Sequence, residues 1–179
     1  TFDQMTVALL RAPPWDEADT ETHDLIEGFV RALAMKGAKV VAVRADEIVT
    51  RLSALHRSIS GYEFKRSIAF ERIHHYDELS EILRKGRLAD GDQVSPAQYH
   101  EMRREVAALR LQVADLFTDI DALIWPSAPG PALPTLLETG NAGFHSSWSL
   151  AGNPTITLPL FLATASGLPI GCQLIGSVA

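Results

Sequence analysis

The sequence predicts an α/β protein: a mixed β-sheet covered by helices, with a helical segment in the middle of the chain. Three observations predict it. Two short β-forming runs near the N-terminus flank a stretch of helical periodicity, apolar residues three and four apart dominate the centre, and no charged residue follows Glu138. In that uncharged tail, short apolar runs alternate with glycine and proline, the pattern of strands covered on both faces of a sheet.

The run 5–10 (MTVALL) reads as the first strand, ended by Pro13-Pro14. Asp19 or Thr20 can cap the helix that follows, where Leu25, Ile26, Phe29, Val30, Leu33 and Ala34 recur on one face. Gly37 stands where a left-handed helix end belongs, and 39–43 (KVVAV) is the second strand. Strand, helix and strand form a βαβ unit with parallel strands.

Ile48, Leu52, Leu55 and Ile59 mark one apolar stripe, Phe64, Ile68 and Ile73 another, and a further helix over about 77–85 ends at Gly86. The stretch 86–94 reads as a polar loop. Ser95 as N-cap, Pro96 in the first turn and Gln98 make a capping box. The helix it starts carries Tyr99, Met102, Val106, Leu109, Val113, Leu116 and Ile120, spacing that suits its own sheet or a coiled-coil partner. The run 122–125 is the third strand, 142–150 a short helix, and 155–160 and 170–175 the last two strands. Pro159 removes a ladder donor, which implies a strand end, an edge or a bulge.

A chain of 179 residues suits one domain, expected over 1–179, and its 46% hydrophobic and 21% charged residues describe a globular composition. The formal charge of -6, with basic residues scattered, gives no reason to expect nucleic acid or an anionic membrane as partner. Cys172 is the single cysteine, so no intramolecular disulfide forms and a reducing, cytoplasmic setting is expected. The N-terminus Thr-Phe-Asp-Gln-Met has neither a basic stretch nor an apolar run, so no signal peptide is expected. The tail is too densely broken by glycine and proline for a membrane-spanning helix.

From Asp121 onward the chain resembles the C-terminal part of amidase-signature enzymes. Residues 121–127 (DALIWPS) look like D-x-L-x-x-P-T/S, 151–159 (AGNPTITLP) like G-x-P-x-x-x-x-P, and 167–176 (GLPIGCQLIG) like G-L-P-x-G-x-Q-L-I-G. Trp15-Asp16 before the first helix and Ser95-Pro96-Ala97-Gln98-Tyr99 agree more loosely. The resemblance implies amide hydrolysis through a Ser–cisSer–Lys set carried on a loop like G-G-S-S-G, which has no counterpart in these residues. It thus implies a missing N-terminal part of the same enzyme as partner, a small-molecule amide as substrate, and homo-oligomer formation as an option.

No residue here is assigned as catalytic. A base lysine needs burial to shed its proton, and Lys36, Lys39, Lys65 and Lys85 all stand among charged residues or at helix ends. Ser146-Ser147 near His145 lacks flanking glycines and a nearby carboxylate, so a capping or loop role is expected. Phe144 and Trp148 are the candidates for substrate binding, with Trp148 equally suited to a core. His74 and His75 diverge on a helix, and Glu71, His74 and Glu78 on one exposed face make a poor metal site, so no metal is expected. Cys172 reads as a small buried hydrophobe. Without G-x-G-x-x-G or a P-loop, no cofactor is expected. The rival to an amidohydrolase is a non-catalytic α/β binding or structural module.

Overall fold

The computed structural model describes residues 2–135 and 140–178. Five strands form one sheet in the order β2-β1-β3-β5-β4. They are β1 (Thr6–Leu10), β2 (Lys39–Val43), β3 (Ala122–Pro126), β4 (Thr155–Leu162) and β5 (Pro169–Ile175). β1 pairs in parallel with β2 and β3, and β5 runs antiparallel to both β3 and β4, so the sheet is mixed as expected.

Helix α1 (Thr20–Met35) makes the crossover from β1 to β2. Asp19 Oδ1 caps it by accepting from Thr22 N at 2.7 Å, and Gly37 follows it with φ 99°. α1 covers one face, where Ile26 and Val30 meet Val7, Leu9, Ile124 and Cys172. The other face is covered by α2 (Asp46–Ser67), α6 (Pro96–Asp115) and α7 (Gly143–Ala151). There Leu52, Leu55, Val106 and Val113 pack with Ala8, Leu10, Leu123 and Trp125. Alternate residues of β1 therefore feed two cores, as a strand buried on both faces must. The capping box of α6 is present: Gln98 N donates to Ser95 Oγ at 3.3 Å and Ser95 N to Gln98 Oε1 at 2.9 Å. The apolar stripe of α6 is spent on its own sheet, not on a coiled-coil seam.

The middle of the chain departs from the sequence reading. α2 runs unbroken through Phe64, and only α3 (Ala69–His74) follows it before a 3₁₀ turn at Tyr76–Glu78. The backbone breaks at Gly86 as expected, with φ -95° and ψ -108°, but the expected loop beyond it is helical as far as Asp92. α4 (Glu81–Leu83) and α5 (Ala89–Asp92) are joined through Arg84–Leu88, which is kinked at Gly86. The polar sequence concealed one anchor, Leu88, which is buried, and Gly91, which lets α5 press against α2 at Gly61.

The expectation that the uncharged tail forms covered strands holds for β5 and fails for β4. Ile170, Cys172, Gln173 and Ile175 are buried, whereas Ile156 is 58% and Leu162 68% exposed on the sheet's edge. The β4–β5 register shifts between Leu158 and Phe161, across Pro159.

Candidate functional site

Parallel strands β1 and β3 lie side by side, but their onward connections run to opposite ends of the sheet: β1 leads to β2, β3 to β4 and β5. The crevice beyond the carboxyl ends of two such strands is where open α/β sheets bind ligands. Here it is walled by the loop after β1 and the proline-rich loop after β3. Between them lies an open cleft of about 650 Å³, lined by Glu17, Asp19, Pro129, Pro131, Leu133 and Asn141 among others. The two loops are stapled together. Asp19 N donates to Pro129 O at 2.8 Å, and Asn141 Nδ2 to Glu17 Oε2 at 2.7 Å. Its described charged residues are the two carboxylates, so no cation is in place there to take an anion.

The same end of the sheet holds a second group of polar side chains, on the face covered by α7. Gln173 is fully buried in β5 and lies opposite Trp125 and Thr157 in the ladders. Its Nε2 meets His145 Nδ1 at 2.6 Å, and its Oε1 is buried with no partner. Ser127 Oγ is likewise buried and unpaired. A Cβ added at Gly171 would fall 2.7 Å from that hydroxyl and 2.8 Å from Thr157 Cγ2, so glycine is what leaves room there. In the sequence His145 stands out only as a neighbour of two serines. The available signal was Gln173, the one side chain of Ile170-Gly-Cys-Gln-Leu-Ile175 needing hydrogen bonds on both ends.

Phe144 and Trp148, the expected substrate-binding pair, are both 0% exposed and set their rings edge-on to Trp125 at 5.4 and 5.9 Å. They pack beneath α7 in the core and line no open cavity among the described residues. The serine doublet sits inside α7. Ser146 Oγ donates back to Ala142 O at 3.3 Å, while Ser147 Oγ donates to Val49 O at 3.1 Å and lies 2.8 Å from Ser53 Oγ. Ser147 is thus occupied as a helix–helix tie.

The lysines sit far from that role. Lys36 and Lys39 are exposed, Lys65 pairs with Asp92 and Lys85 with Glu81, each at 2.5 Å. Cys172 is buried, and burial pushes its thiol up to about 12. His75 Nδ1 lies 2.7 Å from Glu78 Oε1, and no three metal-binding side chains converge among the described residues. No helix among them is long and apolar enough to cross a membrane.

Comparison with known proteins agrees with this architecture. The chain is 25% identical over 174 residues to 2-amino-5-chloromuconic acid deaminase of Comamonas testosteroni, covering 90% of this chain and 37% of that protein. It superposes on a crystal structure of an amidase with a TM-score of 0.81 at 24% identity, over 98% of this chain and 42% of that one. The allophanate hydrolase of Kluyveromyces lactis has the same fold, with a TM-score of 0.76 at 22% identity, over 98% and 30% of the two chains. The chain therefore spans well under half the length of these relatives. The model of the Amidase family matches residues 1–179, and the chain belongs to that family, the amidase-signature enzymes.

Proposed function

We propose that this chain is part of an amide hydrolase that cleaves a C–N bond through a serine acyl-enzyme, with the reacting groups outside these 179 residues. What supports this most directly is a family match along the whole chain joined to the lack of any serine–lysine pair among the described residues. Acyl transfer needs a nucleophile, a base and donors for the oxyanion. Ser147 is tied to α2, and Lys65 and Lys85 are each paired with a carboxylate. Amide hydrolysis by this chain would therefore depend on the part that its relatives have in addition.

On this reading the chain supplies the sheet, the cores and one side of the cleft, and Phe144 and Trp148 are the packed backing of the wall that α7 presents to substrate. The edge of β4, apolar yet uncovered, is where the remaining part adds its own structure. The substrate is a small amide, the setting is cytoplasmic, and assembly into a homo-oligomer is compatible with the free edge.

A serine-reactive fluorophosphonate tests the proposal. The 179-residue chain stays unlabelled, while the full-length protein is labelled stoichiometrically and hydrolyses amides. Labelling of the 179-residue chain would overturn the assignment of the chemistry elsewhere.

A further inference from the structure

The polar group on the α7 face has a direction. Residues 145 and 147 lie two apart on a helix, so their side chains leave it about 200° apart. Ser147 points into α2, where it meets Val49 O and Ser53. His145 leaves the opposite flank, toward Gln173 of β5 and, beyond it, β4. Among the described residues no helix covers β4 on this side: Thr155 and Thr157, which share the face of Gln173 through the β4–β5 register, are exposed. On this face Thr157 lies against Gly171, and the buried, unpaired hydroxyl of Ser127 lies beside Gly171.

Gln173 determines what His145 presents there. Its Nε2 can only donate, so His145 Nδ1 is the accepting ring nitrogen and the ring's Nε2 the one left to donate. Among the described residues Nε2 has no partner, and the ring is only half-buried. A fully buried amide on an interior strand is costly unless bonded, and this one bonds to His145. The arrangement holds a free N–H donor at a fixed position on the open side of α7.

We infer that His145 is a substrate-binding residue that takes a hydrogen-bond acceptor of the substrate, a carboxylate or carbonyl remote from the scissile amide. Gln173 is the positioning residue that fixes its ring. This rests on the amide-hydrolase reading above and adds the substrate class: amides that carry a second acceptor group.

The test uses the full-length protein and two linear amides of similar size, butyramide and succinamate, with fluorophosphonate labelling to count active sites. The unaltered enzyme favours succinamate. His145→Asn keeps a polar atom beside Gln173 but removes Nε2. It lowers the succinamate-to-butyramide ratio of kcat/KM by about five- to tenfold, the worth of one hydrogen bond, chiefly through KM. His145→Gln, which puts an amide near the position of Nε2, retains most of the preference, and Gln173→Leu behaves like His145→Asn. An unchanged ratio in His145→Asn overturns the inference, as does an equal loss on both amides together with a fallen melting temperature, which marks a purely structural contact. An unaltered enzyme that is labelled but does not distinguish the two amides also overturns it. An enzyme that is neither labelled nor active on either overturns instead the reading on which it rests.

Discussion

The contact between Gly61 and Gly91 offers a prediction whose sign can be worked out before any measurement. A Cβ at Gly91 would lie 2.3 Å from Gly61 O and 2.7 Å from Gly61 C, and one at Gly61 would lie 2.8 Å from Gly91 N. These partners are backbone atoms, so no side-chain rotation relieves the clash and α5 must move off α2. Overpacking of this kind costs about 1–3 kcal/mol, and more when backbone must shift. Alanine returns at most about 1 kcal/mol through its helix propensity. Gly91→Ala should therefore lose about 1–2 kcal/mol, or about 2–8 °C in melting temperature at this chain length.

Gly28, in the interior of α1, is the control. A Cβ there meets only Arg31 Nη2, at 3.7 Å, an ordinary contact with a flexible group. The same substitution at this site has only the propensity gain, up to about 1 kcal/mol, and should raise the melting temperature by about 2–4 °C. Circular dichroism melts of the two variants decide the matter. If Gly91→Ala melts at or above the unaltered chain, or if both variants shift in the same direction, then the packing of α5 on α2 described here is wrong.

Other perturbations separate core from surface. Phe144→Ala, which deletes a fully buried ring against Trp125, should cost about 3–5 kcal/mol in denaturant unfolding; a loss below about 1 kcal/mol would place the ring at a surface. Cys172 should resist a disulfide reagent at pH 8 until the chain unfolds, since burial both blocks access and holds the thiol protonated; reaction at the rate of a free thiol would refute this. Burial, aided by Arg87, lowers the pKa of His56 from its ordinary 6.5, while Glu63 opposes the shift. The unfolded chain then takes up the proton first, so stability declines as pH falls below about 6.5. His56→Gln should flatten that decline in melts between pH 7.5 and 5.5, and an equal slope would remove His56 as its source. The free edge of β4 should drive self-association of the 179-residue chain, reduced by Ile156→Lys; monodisperse sedimentation of the unaltered chain would count against an adhesive edge.

What could be read in the sequence follows how locally each feature is determined. The βαβ unit and the cap at Ser95 were legible because capping needs only residues three apart, and Asp19, Ser95 and Gly37 do in the structure what their spacing implies. The bend at Pro159 was legible for the same reason. The break at Gly86 was legible too, but the helical turns at 87–92 were not. Their polar composition matches a loop, and they are held by the Gly61–Gly91 approach, between residues thirty apart that no local pattern links. Likewise the contact between His145 and Gln173 joins two elements, and its members were each visible only as an unremarkable residue of a motif.

β4 shows the limit of reading burial from composition. An uncharged, apolar, β-branched strand states that its surroundings exclude water, but not which chain provides them. In these 179 residues the opposite edges of the sheet differ in kind. β2 begins with an exposed Lys39, the sort of charge that discourages further pairing, while β4 offers an uncharged edge with Ile156, Leu160 and Leu162 exposed. On the proposed reading the β4 edge receives the catalytic part of the enzyme, on the side where His145 presents its free N–H. The same strand would then align the two halves of the active site.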